Sequence, residues 1–108
     1  QKFAGLLLLV ADFEDQVGIV AKISECIASR GGNILVADIF VPQNKNVSYS
    51  RSEFVFGPIK WQRKQMNSDF FDLSKMFTAV KSLVRVPSVD PKYNIDVLAS
   101  KQLIEVQL

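Results

Sequence analysis

The chain has 108 residues, 13 Lys and Arg against 11 Asp and Glu for a net charge of +2, 48% hydrophobic and 22% charged residues. That suffices for one domain, is too near neutrality to argue for nucleic acid by charge, and includes no apolar run of the roughly 18–20 residues that a membrane-crossing helix needs. With no His and a single Cys, the composition excludes His-dependent acid–base catalysis, a His-containing triad, a His-ligated or Cys-pair zinc site and an internal disulfide.

Residues 5–11 (Gly-Leu-Leu-Leu-Leu-Val-Ala) are a continuous apolar run of strand length. Both alternating faces are apolar, which predicts a central strand covered on each side. Residues 12–16 form a polar, acidic turn. Over 17–30, Ile19, Val20, Ile23, Cys26 and Ile27 recur at helical spacing. Asp15 or a neighbour suits the cap of this helix, where a carboxylate also complements the helix dipole. Gly31 and Gly32 stop it, because glycine takes the left-handed conformation at little steric cost. Cys26 falls on the apolar side and reads as a buried structural thiol with no His to activate it.

Residues 34–41 are rich in β-branched and aromatic types and read as a strand. Residues 42–46 are a turn, and 47–56 the return strand of a hairpin. A second helix is expected within 59–80, where Met66, Phe70, Leu73, Phe77 and Val80 step by four, three, four and three to give one apolar stripe. Its start is either near Arg63 or at a Ser68–Asp69 cap. Lys60, Arg63 and Lys64 around Trp61 read as a solvated helix entrance. Residues 82–86 are a short strand, and Pro87 and Pro91 restrict the next stretch to extended conformations. A fifth strand is expected over 95–99, with 103–106 a strand or a tail.

The order β-α-β-β-α-β predicts an α+β, ferredoxin-like sandwich: two helices on one face of a four-stranded antiparallel sheet, plus an extra C-terminal strand. The expected division is a folded domain over 1–88, a linker over 89–94 and a stub of a further unit over 95–108. The chain opens on Gln1 rather than Met, so a preceding segment is expected, and a targeting peptide cannot be read from these residues.

The chemistry concentrates where the acidic turn meets the first helix. A helix mouth offers N–H donors to an anion, and N–H groups near Gly18, Ile19 and Val20 suit a carboxylate. Asp12 or Asp15 suits an ammonium, and Asn33, beside Ile34, suits the far side of a small zwitterion. Each has a structural alternative: Asp15 as a cap, Gly18 for close packing, Asn33 bonding its own loop. No catalytic residue, metal ligand or cofactor site is expected.

The run Asp15-Gln16-Val17-Gly18-Ile19-Val20, with Gly31-Gly32-Asn33-Ile34-Leu35, resembles the ACT family of small regulatory domains, whose pattern is D-x-P-G-I-V followed by G-x-N-I. Val17 stands where proline is frequent. Val10-Ala11-Asp12, Arg51-Ser52-Glu53-Phe54-Val55-Phe56 and Val89-Asp90-Pro91-Lys92-Tyr93 extend the likeness, from about residue 5 to 101, to the N-terminal ACT domain of formyltetrahydrofolate deformylases of the plant branch. The resemblance implies a regulatory and assembly domain of an enzyme that hydrolyses 10-formyltetrahydrofolate to formate and tetrahydrofolate in one-carbon and purine metabolism. It implies catalytic Asn, His and Asp beyond this chain, glycine or methionine as effector, and a mitochondrial location for a plant-like parent, otherwise a cytoplasmic one.

A homodimer through sheet or helix edges is expected, because strand one is apolar on both faces and two helices cover one. Leaving three or four large apolar side chains wet forfeits about 1.5–3 kcal/mol each. The alternatives are a dimerisation module that binds no amino acid, and an RNA-recognition motif, which shares this element order. Against the latter, Ser52 and Glu53 stand where that motif expects glycine and stacking aromatics. Neither nucleic acid nor a membrane is an expected partner.

Overall fold

The computed structural model of the chain describes residues 1–12, 16–44 and 46–91. Six elements follow in the expected order: β1 (Phe3–Asp12), α1 (Gln16–Ser29), β2 (Asn33–Phe40), β3 (Val47–Phe56), α2 (Arg63–Met76) and β4 (Ala79–Arg85). The strands form one antiparallel sheet in the order β2-β3-β1-β4. This is the ferredoxin-like arrangement. The strand expected over 95–99 and the segment 103–106 lie outside the described residues.

β1 is an interior strand because its neighbours flank it on both sides. It pairs with β3 from Phe3 opposite Phe56 to Asp12 opposite Val47, and with β4 from Leu6 opposite Arg85 to Ala11 opposite Ala79. Side chains alternate across the pleat. Leu7, Leu9 and Ala11 therefore enter the helix-side core with Phe54 and Phe56 of β3, Ile19, Ile23 and Ile27 of α1, and Met66, Phe70 and Leu73 of α2. On the opposite face, Leu8 and Val10 are 4% and 9% exposed, not wet as the helix count suggests. Their register neighbours are Tyr49 and Arg51 on β3 and Lys81 and Leu83 on β4, long side chains whose stems shelter apolar surface.

α1 ends as the double glycine implies. Gly31 adopts φ 77°, its N–H reaches the Ala28 carbonyl at 2.9 Å, and the Gly32 N–H reaches the Ile27 carbonyl at 2.9 Å. This paired closure is a Schellman motif. The second helix departs from expectation at its end. It closes at Met76, and Thr78 takes a left-handed φ of 52°, uncommon for a β-branched residue. The chain reverses there, so Val80 belongs to β4 and is exposed. Met66, Phe70 and Leu73 form the buried stripe, with Phe77 packed beside it.

Trp61 also differs from its sequence reading. It is fully buried under Phe54, Phe56 and Phe70, and its Nε1–H donates to Asp69 Oδ2 at 2.8 Å. Asp69 also accepts from Arg30 Nε (2.8 Å) and Nη2 (3.0 Å) and from Gln65 (2.9 Å). One carboxylate thus ties the end of α1 to α2 and satisfies a buried indole. Burial pushes the Asp69 pKa up, but those hydrogen bonds and the Arg30 charge outweigh it and hold the carboxyl below its ordinary value.

The expected linker begins with residues that belong to the domain. The N–H groups of Val89 and Asp90 bond back to the Val86 carbonyl. Asp90 accepts from the Val86 N–H at 2.8 Å and from Arg63 Nε at 2.7 Å. Arg63 also donates to the Val84 carbonyl at 3.1 Å and to Asn67.

Candidate functional site

The mouth of α1 opens at the end of β1. Asp12 is exposed in the last position of that strand, opposite Val47. Gly18 is half-buried in the opening turn. Ile19 is buried in the core, so its side chain is committed to packing. The helical ladder takes the Val20 N–H to the carbonyl of residue 16, which leaves Val20 to contribute its partly exposed side chain. Asp15, the expected cap and ammonium partner, lies outside the described residues.

Asn33 and Ile34 do not join this group within one chain. α1 runs back along the sheet from the end of β1, and β2 then runs parallel to β1 with β3 between them. Phe40 therefore stands at the end of the sheet where α1 begins, and Asn33 stands at the other. The 14 residues of α1 separate them by roughly 21 Å. The sequence motif reads as one corner because its two halves are linked by a helix, and that helix is what holds them apart. Asn33 is exposed at the start of the β2 edge, and Ile34 packs against the core.

Beneath α1 lies a row that sequence reasoning missed. Ser48, Ser50 and Ser52 on β3 are all buried on the helix side. Their spacing of two was the available signal, since alternate residues of a strand share a face. Small side chains here let the helix pack close to the sheet. Ser50 donates to the Leu9 carbonyl at 3.5 Å, whereas Ser48 Oγ is buried without a partner.

A second concavity of about 360 Å³ lies between the helices, lined by Cys26, Ser29, Arg30, Asp69, Asp72, Leu73 and Met76. Cys26 is half-buried there, more open than its apolar position suggested. Burial pushes its thiol up to about 11; the Asp69 carboxylate adds to the shift and Arg30 opposes it. Against an ordinary value of 9.0, the thiolate fraction at pH 8 falls about 100-fold, and the greater nucleophilicity of a weaker acid restores about tenfold. Iodoacetamide at pH 8 is expected to alkylate Cys26 about ten times more slowly in the folded chain than in urea. Equal rates, followed by mass spectrometry, would show an activated thiol instead. Among the described residues no group of three or more Cys, Asp or Glu is placed to hold a metal ion.

No protein-family model matches the chain. It is 64% identical over 88 residues to formyltetrahydrofolate deformylase 2, mitochondrial, of Arabidopsis thaliana; the match covers 82% of this chain and 27% of that protein. The chain thus spans about a quarter of the length of this relative. Among solved structures, a formyltetrahydrofolate deformylase from Burkholderia mallei superposes with a TM-score of 0.67 at 12% identity, covering 82% of this chain and 30% of that one. An ACT domain protein from Streptococcus pneumoniae superposes with a TM-score of 0.64 at 20% identity, covering 84% and 98%. These two likenesses concern the fold; the sequence identity carries the kinship. The chain has the ferredoxin-like fold that the solved ACT domain protein shares, and over 82% of its length it is related in sequence to about a quarter of a plant formyltetrahydrofolate deformylase.

Proposed function

We propose that this regulatory ACT domain pairs two copies through the edge of β2 and holds a small amino acid between the α1 mouth of one copy and the start of β2 of the other. The supporting observation is where exposed apolar surface collects. β2 is an edge strand. Val20 of α1 shares a crevice with Ile34, Ala37 and Ile39 of β2, and Leu35, 64% exposed, Val36 and Phe40 lie exposed along β2 itself. An unpaired strand edge bordered by apolar side chains favours joining a second strand. Of the sheet or helix edges expected to carry a homodimer, this reading takes the β2 edge.

Two-fold pairing of β2 with β2 would run the strands antiparallel. The Asn33 end of a second copy then lies beside the Phe40 end of the first, where α1 opens. Asn33 and Ile34 of one copy would meet Asp12, Asp15, Gly18, Ile19 and Val20 of the other, and the site is complete only in the pair. The positive end of the α1 dipole suits the amino acid's carboxylate, and Asp12 or Asp15 its ammonium. Glycine and methionine are the effectors the family resemblance suggests. The parent protein would hydrolyse 10-formyltetrahydrofolate, with this domain coupling amino-acid supply to one-carbon flux in the mitochondrion.

Calorimetric titration with glycine and with methionine tests the sensing role; saturable heat at millimolar ligand is expected, and none with either would remove it. The pairing has its own test. Leu35 is the extra residue of a β-bulge, without a cross-strand partner. Leu35→Lys should change stability by less than about 0.5 kcal/mol yet give a monomer in sedimentation velocity where the unaltered chain gives a dimer. Retention of the dimer would place the interface elsewhere.

A further inference from the structure

The row of buried serines ends beneath the opening turn of α1. Ser50 and Ser52 share a crevice with Val20, Ile23 and Ser24 of α1. Ser48 lies two residues nearer the end where α1 begins, opposite Ala11, which packs in the core with Ile19. Ser48 is 1% exposed, and its Oγ has no hydrogen-bond partner. Alanine would sit on the same strand position without a hydroxyl to desolvate, and a buried polar group left unpaired is unfavourable. The position therefore carries a hydroxyl at a cost that packing does not explain.

We propose that Ser48 is a ligand group of the amino-acid site, its hydroxyl donating to the ligand carboxylate alongside the N-terminal end of α1; this rests on the amino-acid reading above. Two features converge on the place: a helix terminus whose dipole favours negative charge, and an unsatisfied donor within the floor below it. The hydroxyl is fully buried, so the ligand reaches it when the opening turn of α1 tilts away from β3. Gly18 lies in that turn and weakens it, since glycine is a poor helix former. Binding thus replaces an unpaired hydroxyl with a charge-assisted hydrogen bond.

The test is calorimetry with glycine on the unaltered 108-residue chain, Ser48→Ala and Ser50→Ala, with a thermal melt of each variant in the absence of glycine. Ser48→Ala is expected to bind glycine about tenfold or more weakly while melting at the same or a higher temperature. Ser50→Ala is expected to keep its affinity within about twofold, because its hydroxyl already has a backbone partner. Unchanged affinity in Ser48→Ala, with the unaltered chain binding, would overturn the role of Ser48 and leave the amino-acid reading standing. Parallel losses of affinity and melting temperature in both variants would make the hydroxyl structural and overturn the role as well. An unaltered chain that binds no glycine while binding methionine would send the experiment to methionine with the same criteria; binding of neither would remove both proposals together.

Discussion

Trp61→Ala is expected to lower the stability of the domain by about 3–5 kcal/mol. The indole is fully buried, with ring centroids 5.3 Å from Phe70, 5.6 Å from Phe54 and 5.9 Å from Phe56. Its removal empties the place where β3 and α2 meet, and rings on three sides cannot all collapse into it. It also takes a donor from Asp69, which keeps Arg30 and Gln65. Trp61→Phe separates the two effects: most of the aromatic contact survives, the N–H is lost, and about 1 kcal/mol is expected. In a domain of this size each kcal/mol shifts the melting temperature by about 4–8 °C. Trp61 is the sole tryptophan of the chain, so circular dichroism is the appropriate readout. An alanine variant melting within about 3 °C of the original would refute the central place given to this residue.

Gly5→Ala should cost about 1–3 kcal/mol, although it adds a single methyl group. A Cβ on Gly5 would stand 2.4 Å from Cζ and 2.6 Å from Cε2 of Phe54, the residue directly opposite on β3. The ring lies across the glycine and is held by Phe56, Trp61 and Phe70, so it has nowhere to swing. Either β1 shifts away from β3 or the ring leaves its rotamer. The smaller side chain of Phe54→Leu relieves the collision. In that background Gly5→Ala should be milder by about 1 kcal/mol, a coupling typical of touching residues. Equal penalties in the two backgrounds, from urea denaturation, would show that the glycine matters for some other reason.

The elements were legible because each carries its own period. The apolar run of β1, the three- and four-residue steps of α1 and the Gly31–Gly32 stop translate directly into backbone. Val80 misled because the helical spacing of apolar residues continued past Met76 by coincidence; a left-handed Thr78 ends a helix without leaving a glycine or proline in the sequence. Trp61 was read with its basic neighbours, yet Lys60 and Lys64 face solvent while the indole turns inward to Asp69. The Arg30–Asp69 pair joins residues 39 apart, and local pattern holds no trace of such a pairing. At the candidate site the sequence named the helix mouth. It grouped Asn33 with that mouth although the Gly31–Gly32 stop already put Asn33 past the far end of a 14-residue helix.

The latch at Asp90 bears on how this domain could communicate. The carboxylate grips Arg63 in the first turn of α2 with two hydrogen bonds, at 2.7 and 3.2 Å, and lies 3.7 Å from Arg85 at the end of β4. Asp90 is therefore anchored to α2 and to the end of β4 at once. A pull applied there would be felt first by α2, whose Asp69 grips the last turn of α1 through Arg30. Force entering at one terminus would thus be delivered mechanically, through two arginine–aspartate couplings, to the helix that carries the proposed sensing end.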